Sequence, residues 1–165
     1  MKPFRRKGDE YVAHLDPAEA GIVGLLLDQL EQLLTGDEDD VEGDAVMARL
    51  LPEGHRGDPA LAADYRDLTR SSLVAGKADD LATVRATLPA DGGALRLDAD
   101  QATAWLRTTN DLRLAMGTRL GIEADTEPPE ELASEEDQQL AVYYWLTAAQ
   151  GSLVDALVAG RAGRR

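Results

Sequence analysis

A chain of 165 residues, 44% of them apolar, is long enough to bury one core in a single domain, and with aromatics at 4% that core must be mostly aliphatic. The absence of cysteine excludes disulfides, thiolate metal sites, cysteine nucleophiles and thiol redox switches. The 31 acidic and 17 basic residues give a net charge of −14, a surface that repels a phosphate backbone and favours basic partners or plain solvation.

The basic residues gather at the ends: Lys2, Arg5, Arg6 and Lys7 at one, Arg161, Arg164 and Arg165 at the other. Residues 1–7 and 161–165 are read as mobile basic tails of a domain spanning 1–165. The body between them lacks the basic stripe of a DNA-reading helix, so direct nucleic-acid binding is disfavoured. No apolar segment follows the first charges as it would in a signal peptide. The most apolar run, Gly21 to Leu34, is broken by Asp28, Gln29, Glu31 and Gln32, so a cytoplasmic protein without a membrane span is expected.

In chain order, alternation on both sides of Lys7-Gly8-Asp9 predicts a β-hairpin, Phe4–Arg6 against Glu10–Leu15. Asp16-Pro17-Ala18-Glu19 opens a helix, with Asp16 as cap, Pro17 in the first turn and Glu19 at the capping-box position. Ile22, Val23, Leu26, Leu30, Leu33 and Leu34 form its stripe, and Gly36 ends it. Residues 36–44 are an acidic loop. A calcium loop counted from Asp37 would need glycine and glutamate where Glu42 and Ala48 stand, so that reading fails. A short helix over 45–51 follows.

Asp58-Pro59 starts another helix, expected to fade near Gly76, with a separate one over 80–88 presenting Leu81, Val84 and Leu88. Leu95 and Leu97 alternate in a strand over 94–98 that joins the hairpin as a third strand. Asp98 or Asp100 caps a helix running to Leu120 and ended by Gly121. Ser134, followed by Glu135, Glu136 and Asp137, starts the last helix, which continues to about Ala159. The expected fold is mainly α with a minor antiparallel sheet (α+β), the hairpin and one later strand packed with a helical bundle.

No catalytic constellation emerges. His14 and His55 are the only histidines and lie on different elements, too few for a histidine-based zinc site, so no metal and no cofactor are expected. Ser152 lacks the second glycine of a nucleophile elbow. Gly76-Lys77 has neither the preceding glycine nor the following hydroxyl of a phosphate loop.

The helix over "NDLRLAMGTRLG" poses the main question. Ala102, Trp105, Leu106, Thr109, Leu112, Arg113, Met116 and Leu120 form one band, which puts Arg113 within or beside the buried face. A buried arginine needs a partner, and a carboxylate or several carbonyls from another helix are expected because Asp111 lies at the wrong angle. Gly117 leaves room for a neighbour's close approach. Either Arg113 belongs to an internal network that sets helix register, or Arg107, Asn110, Arg113 and Arg119 make a partner or anion site. Tyr144 and Trp145 likewise either widen the core face of the last helix or anchor a partner.

Taken in order, "FRRKGDEYVAHLDPAEAGIVGLLLDQLEQLL", "YRDLT", "WLRTTNDLRLAMGTRLGI" and "YYWLTAAQGSLVDAL" resemble an actinobacterial family of domains of unknown function that includes the AosR-like oxidative-stress regulators. The resemblance implies a transcriptional regulator working with an alternative sigma factor. The cysteine pair implied as the trigger in that branch is missing here, so the implied thiol switch is not carried over. The expected function is a non-enzymatic regulatory or adaptor protein acting through protein–protein binding, with transcription machinery as a partner class. The alternative is an enzyme or small-ligand-binding protein with an Arg- and carboxylate-lined pocket, and a homodimer through the last helix is a third reading.

Overall fold

The computed structural model describes residues 1–36, 45–51 and 59–162. Residues 37–44 of the acidic loop, His55 and residues 163–165 of the basic C-terminus lie outside the described residues.

Strands β1 (Lys2–Lys7) and β2 (Glu10–Leu15) form the hairpin, turning at Gly8 with φ +66°. Residues 2–7 of the basic N-terminal segment are therefore a paired strand. Helix α1 spans Pro17–Thr35, α2 Ala45–Leu50 and α3 Pro59–Thr87; β3 is Gly93–Leu97, α4 Ala99–Arg119 and α5 Glu135–Ala162. Strand β3 pairs antiparallel with β2, Tyr11 opposite Leu97 and Ala13 opposite Leu95, in the order β1-β2-β3. The fold is α+β: one small antiparallel sheet packed with helices. Among the described residues, no helix is long and apolar enough to cross a membrane.

Period-two alternation sends Tyr11, Ala13 and Leu15 of β2 and Leu95 and Leu97 of β3 into the core, with Phe4 of β1 beside them, while Glu10, His14 and Arg96 stay exposed. Helix α5 packs on β1, and the Phe4 N–H donates to Ser152 Oγ at 3.1 Å across that contact.

Each well-marked helix starts on a reciprocal cap. Asp16 Oδ1 accepts from the Glu19 N–H at 2.9 Å, and Glu19 returns the bond to the Asp16 N–H. Asp98 and Gln101 do the same for α4, and Ser134 and Asp137 for α5. Such a cap is worth about 1 kcal/mol. Burial contributes more: Ala20, Val23, Leu27 and Leu30 of α1 are all nearly inaccessible. Full burial of an aliphatic side chain of leucine size stabilises by about 1.5–3 kcal/mol.

Helix α3 departs from expectation. It does not stop near Gly76 but runs unbroken from Pro59 to Thr87, merging the two helices that the sequence suggests. An interior glycine costs about 1 kcal/mol relative to alanine. Burying Leu81 and Val84 and placing Lys77 against α4 outweighs that cost. Leu68, an apolar residue of the first half, is 74% exposed, so that half does not bury it.

Gly92 lies directly against the backbone at the start of α1. Its φ is +75°, and a Cβ there would lie 2.7 Å from both the Asp16 carbonyl carbon and the Pro17 nitrogen. Gly8 shares the left-handed conformation but has open space around it. Gly92→Ala is expected to lose about 2–4 kcal/mol in urea unfolding. Gly8→Asn should stay within about 1 kcal/mol, because asparagine tolerates that conformation. Equal losses would contradict the steric account.

Candidate functional site

Helix α4 presents polar side chains to both of its long helical neighbours, and the two sides are built differently. On the α3 side Asp111 is buried, at 6% exposure, and Lys77 Nζ donates to both of its oxygens at 2.7 and 2.8 Å. Loss of water raises the carboxyl's pKa above the ordinary carboxylate range. The Lys77 hydrogen bond and charge pull it back, and the nearby charge of Asp80 adds to the rise. Arg107 is exposed on this same side, 3.7 Å from Asp80. Trp105 Nε1 donates to Thr87 Oγ1 at 2.8 Å, a further tie between α3 and α4.

On the α5 side Arg113 is half-buried. Its Nε donates to Thr147 Oγ1 at 2.9 Å, an Nη donates to Gln150 Oε1, and its guanidinium lies 5.4 Å from the Tyr143 ring centroid. Gln150 Nε2 donates in turn to Asn110 Oδ1 at 3.3 Å. Thr147 sends its own hydroxyl proton to the Tyr143 carbonyl, which leaves its oxygen to accept from Arg113. The spacing explains the convergence: Tyr143, Thr147 and Gln150 recur at i, i+4 and i+7 on one face of α5. Gly117 permits this closeness, since a Cβ there would sit 3.3 Å from the Tyr143 ring.

The carboxylate or several carbonyls expected for Arg113 are thus replaced by a single side-chain amide carbonyl and a hydroxyl, on another helix as expected. Among the described residues its partners are a hydroxyl, a side-chain amide and an aromatic face. A half-exposed guanidinium retains enough hydration for neutral acceptors and a ring to suffice.

The six residues singled out from sequence do not form one cluster. Asn110 and Arg113 meet at the α4–α5 seam. Tyr144 is half-buried, stacks edge-on with Tyr143 at 5.4 Å, and donates its hydroxyl to the Thr126 carbonyl, pinning the connection between the two helices. Trp145 packs against the core and its indole Nε1 is buried. Arg107 sits on the α3 side, and Arg119 is exposed in the last turn of α4.

Sequence reasoning missed Lys77, Thr147 and Gln150. A signal for Asp111 existed: Ala104, Thr108, Asp111 and Ala115 recur at i, i+4, i+7 and i+11, a face of small residues suited to a close neighbour, and all are buried.

His14 is exposed on β2, Ser152 is committed to the Phe4 N–H and the Ala149 carbonyl, and no group of three metal-ligating side chains converges among the described residues.

The family model described as Domain of unknown function (DUF2017) matches residues 1–157. Proteins named oxidative stress regulator AosR from Mycobacterium tuberculosis and Mycobacterium bovis are 30% identical over 190 aligned residues, covering 94% of this chain and 86% of theirs. A Mycobacterium leprae protein bearing the AosR name is 35% identical over 131 residues, 70% of this chain and 59% of its own. No solved structure matches the chain significantly.

Two outcomes are expected at the buried pair. Lys77→Met strands the Asp111 carboxylate and should cost about 3–5 kcal/mol, most of it recovered when Asp111→Leu is added. Urea titrations of both variants test this. For pH, a carboxyl whose folded pKa is raised stabilises fully below its unfolded value and loses that contribution as pH rises through the folded one. The stability of the wild type relative to Asp111→Asn should therefore increase on acidification just above the ordinary carboxylate range. A difference flat with pH would contradict the raised value.

Proposed function

The chain belongs to the DUF2017 family, and on that premise we propose that it is a non-enzymatic regulatory protein that acts by binding another protein, within the response to oxidative stress that its relatives are named for. Transcription machinery is the partner class. The observation that carries the binding role is Arg113: a half-buried, permanently charged side chain held in place by neutral groups. Among the described residues Thr147 and Gln150 each take one donor of a guanidinium that has five, leaving further donors for an incoming carboxylate. Because its neighbours already orient it, little side-chain entropy is lost on binding. The chain's −14 charge suits a partner that is basic overall and presents one carboxylate to this seam. With no cysteine in the chain, regulation here runs through binding and not through a thiol of its own.

The pocket reading expects a cavity converging on Arg107, Arg113 or Arg119. Among the described residues, an apolar cavity bordered by Phe4, Trp105 and Trp145 is lined by none of the three.

Affinity capture with the tagged wild type, Arg113→Gln and Asn110→Ala tests the proposal once circular dichroism has established that all three are folded. The expected result is one stoichiometric partner whose recovery falls at least about 10-fold with Arg113→Gln, in keeping with loss of a charge-assisted contact. Recovery unchanged in both variants would remove the seam from the binding surface.

A further inference from the structure

The face of the sheet turned away from the core carries charge of one sign. Directly paired residues of neighbouring strands share a face. The register therefore sets Arg5, Val12 and Arg96 in one row across the three strands, Lys2 and His14 in a second, and Lys7 opposite Glu10 beside the turn. The buried residues of the strands, Tyr11, Ala13, Leu95 and Leu97 among them, point the other way, to the helices. Lys2, Arg5, Lys7 and Arg96 are exposed, and Val12 between the two arginines is half-buried.

This face holds four of the chain's 17 basic residues and one of its 31 acidic ones. The acid, Glu10, pairs with Arg96 at 2.9 Å, and both side chains are half exposed. Such an exposed pair is weak, so Arg96 can exchange Glu10 for another carboxylate. Asp9 at the turn lies 3.7 Å from Arg6, whose strand partner is the core residue Tyr11. Among the described residues no acid pairs with Lys2, Arg5 or Lys7. Charge on edge strands blunts pairing with other sheets, but either sign serves that end. It does not explain why cations gather here in a chain of net charge −14.

Complementarity selects an acidic ligand, and the surroundings narrow its class. Single-stranded nucleic acid is held by stacking on aromatic side chains, and this face has none. A duplex would continue past a patch three strands, or about 10 Å, wide and carry its phosphates over a chain that is acidic elsewhere. A peptide of about six extended residues ends within the length of one strand, about 20 Å. Arg5 and Arg96 stand two strand spacings apart, about 10 Å, with Val12 as an apolar floor between them. That arrangement suits an apolar side chain flanked by carboxylates.

We propose that the solvent face of the β1-β2-β3 sheet is a docking surface for a short acidic peptide segment of a partner protein. Arg5, Lys7 and Arg96 receive its carboxylates, and Val12 receives an apolar residue between them. The surface is separate from the Arg113 seam and does not depend on that seam's role.

The test is a titration of the full-length, isotope-labelled protein with the capped peptide Glu-Glu-Ser-Val-Ser-Glu-Glu, read by backbone amide shifts. Saturable shifts centred on Arg5, Val12 and Arg96 are expected, with a Kd below about 1 mM at low salt that rises as salt is added. The same peptide with glutamine for glutamate should bind at least about 10-fold more weakly, as should the wild-type peptide to the Arg5→Gln, Arg96→Gln double variant. Arg113→Gln should leave binding within about 2-fold of the wild type, because its seam is not involved. Should the double variant fail to fold, Arg5→Gln and Arg96→Gln are read singly against the same expectation. No shifts at about 1 mM peptide would overturn the proposal. So would equal binding of the glutamine peptide, undiminished binding to the sheet variants, or shifts centred on Arg113, Thr147 and Gln150. Tighter binding of a short DNA duplex or of phosphatidylserine vesicles at the same face would overturn it in favour of a different ligand.

Discussion

Helix α4 is hemmed in by its neighbours, and a helix so placed must satisfy its buried polar groups from other elements or not at all. It packs against α1, α2, α3, α5, β2 and β3. Its intrahelical hydrogen bonds use its own backbone and supply nothing to Asp111, Trp105 or Arg113. Lys77 and Thr87 of α3 answer the first two, and Thr147 and Gln150 of α5 answer the third. The cost of stranding a buried carboxylate is several kcal/mol, well above the roughly 1 kcal/mol for carrying α3 through Gly76. The register of α3 on α4 follows from that inequality.

The two sides of α4 differ in how charge is met. On the α3 side a cation faces a buried anion and the pair is closed. On the α5 side a cation faces a hydroxyl, an amide and a ring, and keeps its net charge. Surface pairs such as Arg85 with Asp28 and Glu31 link α3 to α1, and the Asp28 hydrogen bond raises the arginine's pKa further, yet exposed pairs of this kind contribute about 0–1 kcal/mol. The edge-on contact of Phe4 with Trp105, 6.2 Å between ring centres, brings β1 of the sheet into the same assembly.

What could be read from the sequence was what is satisfied locally. The caps at Asp16, Asp98 and Ser134, the turn at Gly8, the alternation of Tyr11, Ala13 and Leu15, and the stop at Gly121 each complete themselves within a few residues, so their signatures are contiguous. The family resemblance was legible for a similar reason, being carried by ordered stretches of chain. Of the candidate site, the need of Arg113 for a partner on another helix, and the close approach at Gly117, followed from helical geometry alone.

The identity of that partner did not follow. Gln150 lies 37 residues from Arg113, and Lys77 lies 34 from Asp111. Nothing in either local pattern specifies which distant side chain arrives. Gly76 reads as a helix end until the cost of an unpaired Asp111 is set against it. Trp145 reads as core or as anchor, core being favoured, and the packing of α5 turns its indole inward. Sequence by itself determined the elements, their caps and the class of fold, because those energies are local. Tertiary structure decided which polar groups are closed against one another, which stay open, and where a cavity remains, because burial and pairing are properties of surfaces that meet only after folding.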